Sequence, residues 1–459
     1  MASHERVVGE LRRLVAAGRP GDRLESSRSL VARLGVSPVT VQRALDVVRA
    51  EGLVDTRPGA GTFLTTPSEA PPPVDVSWQS AVLDADPVDV TALQRLRPVV
   101  APGEVVLSSG YLDPSLQAGD LLSTATRRVL RRSGAWEHTT PTGDPDLRAW
   151  LADRIGGGRT AADVVVTPGG QAAVAATIAA LTRPGDTLIV ESPTYPGAVI
   201  AARANGCRLV AWPTETGADP GLLDELLAAT GARVVFTQSR FANPTGRSWD
   251  AGTRRAVLEV ARRRHCFVID DDWAADLSLD PSEADASLVG DDRAGHVVTV
   301  RSLTKLVAPG LRVAAISAVG PARDRVAAAC LTATVSVSSL VERVAVEVLT
   351  APTWPRHLRQ LRSELGERRD VLVDEVTRWL GDDAVDRPDG GLHVWVRLPE
   401  AWSADRVAAD AAAAGVVVSP GSGWYPAEAP GPRLRLSFSA ADPQAIRRGV
   451  RTLARVSPS

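Results

Sequence analysis

The stretch Ser302-Leu303-Thr304-Lys305-Leu306-Val307-Ala308-Pro309-Gly310-Leu311-Arg312 contains the only lysine of the chain. Of 52 basic residues, 51 are arginine, so arginine fills every position where a generic cation suffices. Arginine stays protonated, whereas an amine can shed its proton and attack a carbonyl carbon. The run before it, residues 297–302, is apolar and of strand length. Lys305 therefore stands just past a strand end, ahead of a Pro-Gly turn.

Working outward, short apolar runs at 164–167, 187–191, 208–212, 233–238 and 267–270 also read as strands. Alanine-rich amphipathic segments at 171–182, 221–230 and 251–264 read as helices between several of them. Strands alternating with helices predict an α/β body whose largely parallel sheet is covered on both faces. Ligands of such sheets bind beyond the carboxyl ends of the strands, and the chemically suggestive residues fall there. Thr167-Pro168-Gly169-Gly170-Gln171 joins a strand to a helix, where backbone amides suit a phosphate. Pro193-Thr194-Tyr195-Pro196 puts an aromatic ring past the next strand, and Asn243-Pro244-Thr245-Gly246 follows another. Asp270-Asp271-Asp272-Trp273 closes the strand at 267–270. Three acids there need a cation or metal to offset their burial.

A lysine, an acid and a phosphate cradle at neighbouring strand ends are what pyridoxal phosphate requires. The amine takes its aldehyde, the acid keeps its ring nitrogen protonated, and amides with an arginine take its phosphate. This set, in this chain order, resembles the type I aminotransferases. The resemblance implies that Lys305 is the Schiff-base lysine and catalytic residue. It implies that Asp271 pairs with the ring nitrogen, Asn243 with the ring phenolate, and Tyr195 with the ring face. Gly170, Gln171, Ser302 and Arg312 would hold the phosphate. Arg435, in Arg433-Leu434-Arg435-Leu436-Ser437-Phe438, would clamp a substrate or effector carboxylate bidentately, with Arg433 the neighbour most easily confused with it. No metal is implied. Two positions depart from the pattern. Trp273 stands where a tyrosine usually follows the acids, and its indole N–H donates but cannot accept. His138, in His138-Thr139-Thr140-Pro141-Thr142-Gly143, replaces a tyrosine that in relatives reaches the phosphate of the partner subunit. Both changes leave cofactor binding in place and argue against fast transamination.

The first 65 residues have another character. Val7, Leu11, Leu14 and Val15 share one face of a helix at 5–17, and Leu30, Val31 and Leu34 line a second at 27–34. Gly35 turns the chain, Ser37 caps a third helix, and Pro38 takes its first position. Val41, Ala44, Leu45 and Val48 form its buried stripe, leaving Thr40, Gln42 and Arg43 off it. Two helices joined by so short a turn are a helix-turn-helix, whose second helix enters the major groove. Runs at 53–57 and 62–64, joined by Pro58-Gly59-Ala60-Gly61, read as a hairpin wing. These residues, with Gly21-Asp22-Arg23-Leu24 and Ser27-Arg28-Ser29-Leu30, resemble the winged-helix head of the GntR family. Arg57 and the glycine backbone of the wing can approach a phosphate, and the resemblance implies contacts to double-stranded operator DNA at Arg28, Ser37, Thr40, Gln42 and Arg43, with the wing glycines Gly59 and Gly61 near the minor groove. That family usually has arginine where Pro38 and Gln42 stand, so its base preference does not transfer.

Ten arginines against seven acids make residues 1–65 basic, while the whole chain carries a net charge of -2. Only the head is therefore expected to meet a polyanion. With 459 residues, 44% hydrophobic and 23% charged, the chain is neither disordered nor fibrous and holds two or three domains. It has no apolar run long enough to span a bilayer, no apolar leader, no internal repeat, and three scattered cysteines, which together predict a cytoplasmic protein. The expected divisions are a head at 1–65, a linker at 66–104, a large domain at 105–350 and a small domain at 351–459. The linker begins with a proline-rich extended stretch at 65–73 and holds one helix at 88–96. The small domain has a helix at 354–380 and strands at 392–398, 416–419 and 433–437. The whole chain resembles the MocR-type subfamily of GntR regulators, in which a winged helix precedes an aminotransferase-like domain. The resemblance implies a homodimeric regulator that depends on pyridoxal phosphate and senses an amine, an amino acid or a B6 vitamer. A working aminotransferase carrying a DNA-binding head is the alternative.

Overall fold

Three helices open the chain, α1 (Ser3–Ala17), α2 (Ser27–Leu34) and α3 (Pro38–Ala50). Strands β1 (Val54–Arg57) and β2 (Gly61–Leu64) then pair antiparallel, Arg57 opposite Gly61. The side chain of Ser26 accepts the Ser29 N–H to start α2, and Gly35 ends it at φ 63°. Ser37 caps α3 with Pro38 in its first turn, as the sequence requires. Val7, Leu11, Leu30, Val41, Ala44, Leu45 and Val48 close on Leu24, Val54 and Leu64 as one core. Leu14, Val15, Val31 and Leu34 pack on its edge, half-buried. Each fully buried aliphatic side chain contributes roughly 1.5–3 kcal/mol, which is what holds a unit with so few strand bonds together.

The computed structural model describes residues 3–65, 75–83, 88–95, 101, 103–280 and 286–458. The chain divides into two compact units, Met1–Asp86 and Pro87–Ser459. Most of the proline-rich stretch, residues 66–73, lies outside the described residues. A short helix α4 (Ser77–Val82) belongs to the first unit, and α5 (Thr91–Arg95) opens the second. The latter is shorter than the helix expected over 88–96, whose last residue is not described.

In the second unit, β3 (Val105–Val106), α6 (Gly119–Leu130) and α7 (Pro145–Ile155) precede a seven-stranded sheet. Its strands are β4 (Val164–Thr167), β5 (Thr187–Ser192), β6 (Arg208–Pro213), β7 (Val234–Thr237), β8 (Phe267–Asp271), β9 (Val297–Ser302) and β10 (Ala314–Ser317), in the order β4-β10-β9-β8-β7-β5-β6. Val165, Leu188, Val190, Phe236, Ile269 and Val300 face one core, and Val166, Ile189, Val235, Val268 and Val297 face the other. Burial on both faces is why these strands read as continuous apolar runs. The sheet is parallel except for β10, which runs antiparallel to both β4 and β9. Downstream, β11 (His393–Arg397), β12 (Val416–Val417), β13 (Ser419–Pro420) and β14 (Arg433–Ser437) follow the long helix Trp354–Leu380. β14 pairs antiparallel with β11 and β13, and β12 lies parallel to β3. Leu361, Leu365, Val394 and Leu436 share one hydrophobic core with Val235 and Val268.

Candidate functional site

The carboxyl ends of β4, β5, β7, β8 and β9 meet at one rim of the sheet. The reversed strand explains why Arg312 joins them. Ala314, at the start of β10, pairs with Ser302 and Thr167, the last residues of β9 and β4. The residue two before that start is therefore carried to the same edge. A cavity of about 330 Å³ opens there, and Lys305, Asp271, Asn243, Tyr195, Gly170, Gln171, Ser302, Arg312, Trp273 and Arg435 all line it. His138 is exposed and does not line it.

The Lys305 amine donates to the Gly110 carbonyl at 2.8 Å and lies 3.5 Å from the centre of the Tyr111 ring. The three acids find separate compensation. Asp272 is held by Arg240 and, at 3.4 Å, by Arg301. Asp270 accepts the backbone N–H and hydroxyl of Ser239, each at 3.0 Å. Asp271 alone faces the cavity, with Gln238 donating to it at 2.8 Å. Burial pushes the Asp271 carboxyl up to about 7, against the pull of Gln238 and Lys305. A cation in the cavity would restore the anion.

On the other side of the cavity α8 (Gly170–Leu181) begins at Gly169, which has φ 99° and no capping side chain. A Cβ on Gly169 would lie 2.4 Å from the Arg312 guanidinium, and one on Gly170 would lie 3.5 Å from the Ser302 hydroxyl. Only glycine at 169 lets Arg312, itself exposed at φ 51°, lie against the helix start and donate to Pro168. Open first-turn amides beside a guanidinium are an anion cradle. Gln171 donates to Gly197 at 3.0 Å. Tyr195 is half-buried, and desolvation of its hydroxyl raises that group's pKa.

Arg435 is fully buried, donates to Asn243 Oδ1 at 3.1 Å and to Ser108, and lies 4.3 Å over the Trp424 ring. No carboxylate pairs with it among the described residues. Burial pushes its pKa down to about 9. Arg433 shares the same side of β14, as residues two apart must, but Glu215 holds it at 2.7 Å. That carboxylate also accepts Tyr425 at 2.8 Å and Trp395 at 3.2 Å. Of the two, Arg435 lines the cavity without a carboxylate partner among the described residues, and Arg433 does not line it.

Gly110, Tyr111, Gln238 and His393 also line the cavity and went unread in the sequence. Gln238 was legible as a strand-end residue. Its side chain links Asp271 to the Asn243 N–H, which it accepts at 2.9 Å. Gly110 and Tyr111 come from a loop before α6 and carry no local signal. His393 stands opposite Ser437 on β11, with its ring 5.6 Å from Trp273. The His393 ring nitrogen Nε2 and the Trp273 indole nitrogen are both buried without a hydrogen-bond partner among the described residues.

On the head, Arg28, Ser37, Gln42, Arg43, Arg57 and Gly59 are exposed, and Thr40 and Gly61 are partly so. Ser37 caps the third helix, its hydroxyl accepting the Thr40 N–H at 3.2 Å and lying 2.8 Å from the Thr40 hydroxyl. Gln42 donates to Asp46 at 3.1 Å, and Arg57 to Asp55 at 3.2 Å. Arg12 and Arg33 are paired with Glu51, Glu10 and Glu25. Among the described residues no acid pairs with Arg28 or Arg43. Gly61 has φ 115°, and a Cβ there would come 2.7 Å from Arg23, which bridges to Phe63 as a third edge of the wing.

The fold and the cavity define an aminotransferase-type α/β body behind a winged-helix head. The aminotransferase class I and II family matches residues 105–453, and the bacterial regulatory proteins of the gntR family match residues 3–64. The chain belongs to the aminotransferase class I and II family and carries a GntR DNA-binding head. It is 25% identical over 445 residues to YisV of Bacillus subtilis strain 168, an uncharacterized HTH-type transcriptional regulator, covering 95% of this chain and 91% of that one. It is 26% identical to MocR of Rhizobium meliloti, named as a probable regulatory protein of rhizopine catabolism, covering 98% and 92%. LysN, an alpha-aminoadipate aminotransferase from Thermus thermophilus solved with N-(5'-phosphopyridoxyl)-L-leucine, superposes with a TM-score of 0.74 at 26% identity. That match covers 83% of this chain and 98% of LysN. Among the described residues no helix is long and apolar enough to cross a membrane.

Proposed function

We propose that the protein is a transcriptional regulator that binds pyridoxal phosphate. In this reading the body senses an amine, an amino acid or a B6 vitamer, and the head of a cytoplasmic homodimer binds operator DNA. The supporting observation is the convergence of the only lysine with Asp271, Asn243 and the Gly170–Arg312 cradle, in a chain that carries a GntR head. Bound pyridoxal phosphate supplies an aldehyde that exchanges between amines and a ring that draws in electrons. The residues fit it. Gly169 leaves the first-turn amides of α8 open beside Arg312 for a phosphate. Asp271 holds the negative charge that a protonated ring nitrogen needs. Lys305 would offer the amine that holds the aldehyde, and its Nζ would be the base that moves a proton. Arg435 seats a carboxylate. Trp273 presents an N–H where an acceptor-donor hydroxyl would stand, so the site senses better than it turns over.

The test is a visible spectrum of the purified protein with pyridoxal phosphate, followed by borohydride trapping. The expected result is a cofactor band and a trapped adduct in the wild type, with neither in Lys305→Ala. An adduct that survives Lys305→Ala overturns the assignment. Transamination of a common amino acid at about 10 per second, a typical enzyme rate, establishes the enzyme reading instead.

A further inference from the structure

His393 is 3% exposed and its Nε2 has no hydrogen-bond partner among the described residues. A buried polar atom left unpaired is costly unless something else satisfies it. Gly110 fixes where that partner would sit. A Cβ built on Gly110 would lie 3.4 Å from His393 Nε2, 3.6 Å from Lys305 Nζ and 3.7 Å from Arg435 Nη1. Three nitrogens from three separate elements therefore surround one point that residue 110 leaves without a side chain. Each of the three nitrogens lies within 3.7 Å of that point, just beyond hydrogen-bond distance. Arg435 adds an Nε that also has no partner. The nearest acid of the cavity, Asp271, is already engaged by Gln238.

We propose, resting on the cofactor reading above, that His393 is a specificity residue whose Nε2–H donates to the carboxylate that Arg435 seats, so that the effector is an α-amino acid and not a plain amine or a vitamer lacking a carboxylate. The position of Lys305 sets the α relation. Its amine borders the same point, so an incoming amine that takes its place must stand only a bond or two from the carboxylate. Burial, Arg435 and Lys305 keep the imidazole neutral. It therefore donates one N–H without crowding a third cation into the seat, and a bound carboxylate selects the Nε2–H tautomer.

The experiment is a spectral titration of the full-length protein loaded with pyridoxal phosphate. The probes are L-alanine against ethylamine and L-leucine against 3-methylbutylamine. The readout is the ratio of half-shift concentrations, amine over amino acid, within each variant. Wild type is expected to favour each amino acid about tenfold or more. His393→Phe should cut that ratio about tenfold, the worth of one hydrogen bond to a charged group, whereas His393→Gln, which keeps a donor, should retain most of it. A ratio near one in wild type, or an unchanged ratio in His393→Phe, overturns the proposal. A wild-type protein with no visible cofactor band overturns the cofactor reading itself, so the two failures are distinguishable.

Discussion

Replacing Arg435 with methionine should remove ligand recognition at little cost to the fold. The guanidinium is fully buried, with Asn243, Ser108 and the Trp424 ring as its partners. Burial lowers its pKa from the ordinary arginine value to about 9, and a change of that size corresponds to roughly 4–5 kcal/mol against the folded state at neutral pH. Methionine removes that cost and fills similar space. It also forfeits a cation–π contact worth about 2 kcal/mol and leaves two acceptors short of a donor, at about 1–3 kcal/mol each. These effects nearly cancel, so the ligand-free melting temperature should move by only a few degrees. Carboxylate binding has no such offset. Losing one member of a buried charge pair costs about 2–5 kcal/mol, so the amino-acid half-shift concentration should rise roughly a hundredfold by spectral titration. A melting temperature lowered by more than about 10 °C, with the amino-acid response intact, would refute the reasoning and make Arg435 a structural anchor.

Three further outcomes follow from the same geometry. Burial raises Asp271 to about 7, Glu191 to about 8 and Glu342 to about 7. Unfolded acids ionise near 4, so these groups stabilise the fold at low pH and lose that contribution as pH climbs through the folded values. Cofactor-free protein should therefore melt lower at about pH 8.5 than at about pH 6.5, and saturating pyridoxal phosphate should narrow the gap; a flat profile in calorimetry would count against it. Gly169→Ala puts a methyl group 2.4 Å from the Arg312 guanidinium, in a backbone region that only glycine adopts freely; Arg312 must then leave the cradle, so cofactor affinity measured by spectral titration should fall by about tenfold or more, the worth of one hydrogen bond to a charged group. Arg43→Ala, if Arg43 grips a phosphate, should weaken binding to all DNA sequences and lower the salt slope by about one; an unchanged slope in fluorescence anisotropy removes it from the interface.

Much of this was legible because the sheet strands are buried on both faces and the reactive residues follow their ends. Lys305, Asp271 and Gly170 are placed by that rule from the sequence alone. β10 could not. Ala-Ala-Ile-Ser is short and half alanine, a weak strand signal, and its reversed direction is what brings Arg312 to the rim. The Lys305 contact to Gly110 spans 195 residues, and no local periodicity reports such a closure. His393 sits at the start of β11, where alternation says which side it faces but not that the cavity lies there. The choice between Arg433 and Arg435 rested on resemblance alone, since both lie on one side of β14, until Glu215 separated them.

In the proposed function, chemistry at Lys305 governs the head's grip on DNA. One titration tests it most directly: L-alanine added to the full-length protein loaded with pyridoxal phosphate, with the visible band and the anisotropy of labelled operator DNA read in the same cuvette. Both signals are expected to shift with one midpoint in wild type, and neither in Lys305→Ala. A band that moves while DNA affinity stays constant, or a DNA response that persists in Lys305→Ala, would contradict it.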